Sequence, residues 1–157
     1  MIKKIADKIS RTFAATESGS TDETARTDAI RMATAVLMTE VARADYDYDE
    51  AEFTLLLDLI KRHFHILPEE AIEIANAASE TAEDVVSLHS FTQLLNKNLD
   101  DGEKEHIVSL LWQIAYADGR LDKYEDSLVL KISDLLYVRR GRVMRLKYDA
   151  NPHRDQN

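Results

Sequence analysis

Apolar residues recur at helical spacing along most of the chain. Ile2, Ile5, Ile9 and Phe13 stand three or four apart and predict a short amphipathic helix at the start. The polar stretch TESGSTDETART, residues 16–27, reads as a linker that runs into the next helix, with Ser20 and Glu23 at capping-box spacing. Ile30, Ala33, Leu37, Val41 and Ala44 mark one apolar face of a long helix that should close near Asp45. Phe53, Leu56, Leu57, Ile60 and Phe64 define the following one. Pro68 suits the first turn of PEEAIEIANAA, where its missing N–H is not needed. Val85, Leu88, Thr92 and Leu95 predict a helix within EDVVSLHSFTQLLNKNL. Asp100 and Glu103 have capping-box spacing ahead of Ile107, Leu110, Leu111, Ile114 and Ala117. Leu128, Ile132 and Leu135 give another helix, and a basic one around Val143 and Leu146 completes the series. No alternating period-2 stretch competes, so the expected fold is all-α, a helical bundle of about seven helices.

The pattern repeats. VARADYDYDEAEFTLLLDLI begins at Val41 and IAYADGRLDKYEDSLVLKIS at Ile114, 73 residues later. At that offset Ala44, Asp45, Asp49 and Glu52 meet Ala117, Asp118, Asp122 and Glu125, and Leu55 and Leu57 meet Leu128 and Leu130. Each half reads as helix, acidic turn, helix, turn, helix, which predicts two pseudo-twofold related repeats. The chain divides into a short basic amphipathic helix with its linker (1–27), one helical domain (28–150) and a tail (151–157).

The acidic turns carry the candidate chemistry. ARADYDYDEAE opens like a calcium loop of the EF-hand type, but the pattern fails further on. With Asp45 as loop position 1, the sharp turn falls on Glu50 instead of glycine, and Leu56 stands where a bidentate glutamate is required. Two other readings fit. In one, Asp49 and Asp122 cap the helices that follow, with Glu52 and Glu125 in the first turn favouring the helix dipole. That accounts for four of the acids, but not for Asp45 and Asp118, which close the preceding helices where a negative charge opposes the dipole. In the other reading, Asp45, Asp49 and Glu52, and again Asp118, Asp122 and Glu125, offer hard oxygen ligands to a divalent cation, Ca²⁺ or Mg²⁺.

Composition narrows the function. The 157 residues contain no cysteine, which removes disulfides, thiolate metal sites and a cysteine nucleophile. The first 15 residues have no continuous apolar core of a secretory signal, and no apolar run approaches the roughly 20 residues of a membrane span. A cytoplasmic protein is expected. The net charge is -9, yet both ends are basic: Lys3, Lys4, Lys8 and Arg11 near the start, and Arg139, Arg140, Arg142, Arg145 and Lys147 near the finish. An acidic body disfavours general nucleic-acid binding and favours cations or basic partner surfaces. The apolar stripe and positive charge of residues 1–15 suit weak contact with an anionic membrane surface. RRGRVMRLK, 139–147, reads as a solvated helix face that offsets the acidic body in preference to a phosphate-binding run. His63, His65, His89, His106 and His153 form no tight ligand pattern, and Trp112 and Tyr116 read as core or rim. No phosphate loop, nucleophile motif or HExxH accompanies the carboxylates, so an enzyme is not expected.

EVARADYDYDEAE, AYADGRLDKYE and LVLKISDLLYV resemble the TerB-like (tellurite-resistance protein B-like) family over about residues 28–150. The resemblance implies an all-helical bundle, a bacterial stress response, membrane-linked protein complexes peripheral to the inner membrane, and metal-binding acids. By position those acids are Asp45, Asp49, Glu52, Asp118, Asp122 and Glu125, with Glu40 one turn before Ala44 and Gln113 as its counterpart. The first copy departs from the family turn, with Tyr46 where the second has Gly119. The function expected is a non-enzymatic, metal-sensitive interaction or scaffold module with protein partners. The alternative is a metal-dependent hydrolase using the acidic turns.

Overall fold

A computed structural model describes residues 23–44, 48–84 and 87–154. The predicted helix at residues 1–15, Ser20, Asp45 and Val85 lie outside these residues. Seven helices follow one another among the described residues: α1 (Glu23–Arg43), α2 (Glu50–Phe64), α3 (Pro68–Asp84), α4 (His89–Asn98), α5 (Asp101–Ala115), α6 (Lys123–Leu135) and α7 (Arg140–Ala150). Every regular element described is helical, which makes the fold an all-α bundle.

Helix α1 is the axis of the bundle. It packs against α2, α3, α4, α5 and α6. The sequence suggests one apolar face, but the whole run from Met32 to Thr39 is buried, and so are Ala29, Val41 and Ala42. A helix enclosed on all sides needs no polar stripe. Its alanines let neighbouring helices come close, and Thr34 and Thr39 hide their hydroxyls by donating to the carbonyls of Ile30 and Ala35, each at 2.8 Å. Helix α5 is the second pillar. Ile107, Val108, Leu110, Leu111, Trp112, Ile114 and Ala115 are buried where it meets α1, α2, α6 and α7.

The outer helices are amphipathic and their ends are capped as the side chains dictate. Asp100 caps α5 with a complete capping box: its carboxylate accepts the Glu103 N–H at 2.8 Å, and the Glu103 carboxylate accepts the Asp100 N–H at 3.0 Å. Pro68 occupies the first position of α3. The helix expected around Val85 begins later, at His89. Residues 83 and 84 still belong to α3, and the Ser87 hydroxyl accepts the His89 N–H at 3.2 Å where the new helix starts. Helix α2 closes on His65 in the left-handed conformation (φ 54°), with the Ile66 N–H reaching back to the Lys61 carbonyl. Tyr137 (φ 59°) does the same for α6, with the Val138 N–H on the Ser133 carbonyl.

Polar groups tie the outer layer together. Asn96 on α4 donates to the carbonyl of Leu135 at the end of α6 (2.9 Å) and accepts from the nearly buried Lys104 of α5 (3.3 Å). Trp112, fully buried, donates its indole N–H to the Val143 carbonyl of α7 at 3.2 Å. The Lys147 ammonium lies 5.3 Å above the same ring and 2.7 Å from the Asp126 carboxylate, so α7 is held onto both α5 and α6.

Candidate functional site

The acidic turns open helices α2 and α6. Asp49 is extended (φ -95°, ψ 179°), and its carboxylate accepts the Glu52 N–H at 2.9 Å. Asp122 is likewise extended (φ -76°, ψ 146°) and accepts the Tyr124 N–H at 2.7 Å. Both are N-caps, as the spacing suggests. The glutamates three residues on are buried: Glu52 is 5% exposed and Glu125 4%. A first-turn acid placed only for the helix dipole would stay in water, so these two carboxylates belong to the interior at the helix entrances. The same parallel continues inward, since Leu56 and Leu59 are buried in α2 and Val129 and Ile132 in α6.

The turns differ ahead of the caps. In the second, Asp118 is exposed, and its carboxylate accepts the Arg120 N–H at 3.0 Å. Gly119 takes φ 84°, a conformation that suits glycine, and it lets the chain leave α5 abruptly. In the first, Asp45 is outside the described residues, while Tyr48 is half-buried and meets Phe53 edge-on at 6.2 Å. Burial pushes the Tyr48 phenol up to about 12. Neighbouring Ser79 opposes that rise, the Glu52 carboxylate adds to it, and Arg43 opposes it again. Glu40 is half-buried and its carboxyl is raised by burial, against the pull of Arg43. Its counterpart Gln113 turns its amide back onto Ser109 at 3.4 Å.

Among the described residues, no three His, Asp or Glu side chains are grouped so that they could hold a metal ion. Asp118 and Asp122 each direct an oxygen to a backbone N–H of their own turn, and Glu125 lies inside the bundle. The donor types are those a hard cation takes, but their arrangement does not fit a preassembled site.

A family model described as Tellurite resistance protein TerB matches residues 31–148. The chain belongs to the TerB family. The match runs from the middle third of α1 into α7 and includes both acidic turns. No curated protein and no solved structure matches the chain.

Beyond the acidic turns, the TerB bundle brings together residues with no local signal in common. His63 in the last turn of α2 stacks on His106 of α5, with ring centroids 4.6 Å apart and 26° between the planes. The two rings line a cleft of about 680 Å³ with Arg62, His65, Leu59 and Leu110 among its walls. His63 also meets Phe64 edge-on at 4.6 Å, and the Arg31 guanidinium of α1 lies 5.8 Å over the Phe64 ring. Burial lowers the His63 imidazole to about 4, helped by His106 and then His65. Forty-three positions separate the stacked pair, and only the packing of α2 on α5 joins them.

Proposed function

We propose that this TerB-family chain is a non-enzymatic interaction or scaffold module that serves a bacterial stress response by holding a protein partner. The outer face of α7 carries the reading. Gly141, Met144, Arg145 and Tyr148 recur at helical spacing and are all exposed, while Val143 is buried on the other side and Leu146 is partly buried. Met144 is 43% and Tyr148 50% exposed, and nothing lies within 4 Å of the place a Cβ would take at Gly141. A stripe with a flexible thioether, an aromatic ring and a flat glycine floor suits a partner's side chains.

The arginines around it are partly occupied. Arg140 pairs with Asp134, Arg142 with Glu105 and Arg145 with Asp149. These ion pairs hold the basic side chains against neighbouring acids, which favours a protein contact over a phosphate backbone.

Sensitivity to a divalent cation enters the proposal in a restricted form. Asp118 and Asp122 are the accessible carboxylates of the second turn, so an ion would have to draw them together instead of finding them assembled.

A photoreactive residue at position 144, with one at the exposed position 73 of α3 as control, tests the interaction in cells. A discrete cross-linked partner at 144 and none at 73 is expected, and Met144→Asp should abolish complementation of a strain lacking the gene while leaving the thermal melt unchanged. Wild-type complementation by Met144→Asp overturns the reading. So does turnover of a phosphate or peptide ester by the purified chain with Mg²⁺ or Mn²⁺.

A further inference from the structure

The cleft beside the stacked histidines gathers three imidazoles and a guanidinium on an acidic molecule. The chain carries a net -9, yet Arg62, His63, His65 and His106 stand together in one cleft, and Arg31 lines an adjoining one of about 330 Å³ that shares His63 with it. The acids in the cleft wall are Asp100 and Glu103, and each gives an oxygen to the other's N–H in the capping box. Arg62 leans on Asp58 of its own helix at 2.6 Å, an exposed pair that water screens. The floor is apolar: Leu59 and Leu110 are each 3% exposed. A volume of about 680 Å³ is within the range of pockets that take small organic ligands, roughly 300–1,000 Å³.

We propose that this cleft binds a small phosphomonoester, whose dianionic head lies against Arg62, His65 and the His63–His106 pair and whose organic body rests on Leu59 and Leu110.

The stack itself argues for a dianion. A proton on His63 would sit in a partly buried place 4.6 Å from the His106 ring, so it calls for an opposing charge beside it. The charged groups that face the pair are Arg31 from α1, Arg62 and His65 from α2, and Asp100 and Glu103 at the start of α5. The positive members add to the repulsion; the two acids stay charged, but each has a carboxylate oxygen committed to a cap N–H at the start of α5. A phosphate monoester brings about two negative charges and a second pKa of about 6, close to that of imidazole, so a proton can be shared between ligand and ring. Burial and the neighbouring imidazoles keep His63 neutral in the free protein. Binding should therefore take up a proton, and affinity should rise as pH falls from 8 towards 6. Stacked rings also direct their nitrogens along nearly parallel planes, which suits hydrogen bonds to separate phosphate oxygens better than convergence on one metal ion.

The test uses the full chain and two forms of the same chemistry. Phenyl phosphate is titrated at pH 8.0 and 6.0 while the imidazole resonances of His63 and His106 are followed by NMR. Vesicles containing phosphatidate are sedimented with the protein under the same conditions. His106 is exposed, so His106→Gln should fold normally, and the exposed His153→Gln serves as a control. Saturable shifts of both resonances, affinity about tenfold higher at pH 6.0, loss of that gain in His106→Gln and unchanged binding in His153→Gln support the site. Binding to phenyl phosphate alone assigns it to a free metabolite, and sedimentation that His106→Gln abolishes assigns it to a lipid headgroup. No saturable shift in either arm at pH 6.0, pH-independent affinity, or His106→Gln binding as wild type overturns the proposal.

Discussion

His63 and His106 stack face to face across α2 and α5, 4.6 Å between centroids, with His63 held neutral down to about pH 4. Burial is the main cause, followed by His106 and His65. In the unfolded chain an imidazole takes its proton near pH 6.5. Between pH 6.5 and about 4 the unfolded state therefore binds more protons than the folded one. The contribution to stability is complete above pH 6.5 and is lost as pH falls towards 4. Urea titrations at pH 7.5, 6.0 and 5.0 should show wild type weakening through this range, where most carboxylates remain ionised. His63→Gln should flatten the trend. Equal slopes in the two proteins would mean the imidazole does not carry it.

Asn96 links three helices by joining the Leu135 carbonyl to Lys104. Asn96→Ala removes both bonds at once and leaves the Leu135 carbonyl and the nearly buried Lys104 ammonium to find water. A loss of about 1–3 kcal/mol is expected from urea unfolding. Asn96→Asp should be milder, since it keeps an acceptor for Lys104. A change below the error of the measurement in Asn96→Ala would show that water replaces these bonds freely.

Caps and cation ligands can be separated at Asp122. Asn caps a helix about as well as Asp, whereas Ala costs about 1 kcal/mol. Asp122→Asn should therefore melt close to wild type without added cations, and Asp122→Ala should melt lower. If a cation draws Asp118 and Asp122 together, millimolar Ca²⁺, Mg²⁺ or Mn²⁺ raises the wild-type melting temperature and the rise disappears in Asp122→Asn and Asp118→Asn. A site a hundredfold saturated would add about 2.7 kcal/mol. Identical melts with and without each ion assign Asp118 and Asp122 to the turn and the cap alone.

Much of this molecule was legible in the order of its residues. Local chemistry sets helix ends, because a cap is made between positions two or three apart. So Asp49, Asp100 and Asp122 at the helix starts and Pro68 inside one all follow from short spacings. Helical periodicity gave the all-α class, and the paired turns with their flanking apolar runs led to the TerB family that residues 31–148 match. The missed boundary at His89 had the same local origin: apolar Val85 extended the period, while the Ser87 hydroxyl accepts the His89 N–H where the helix starts.

Other properties belong to the tertiary structure alone. Spacing offered a single apolar stripe on α1, but packing by five helices buries it all round, because small side chains allow close approach on every side. Spacing placed Glu52 and Glu125 in the first turns of their helices, and only the bundle determined that both enter the interior. The stack of His63 on His106 is the clearest case. A contact between positions 63 and 106 depends on how two helices cross, and no periodicity within either helix records that crossing.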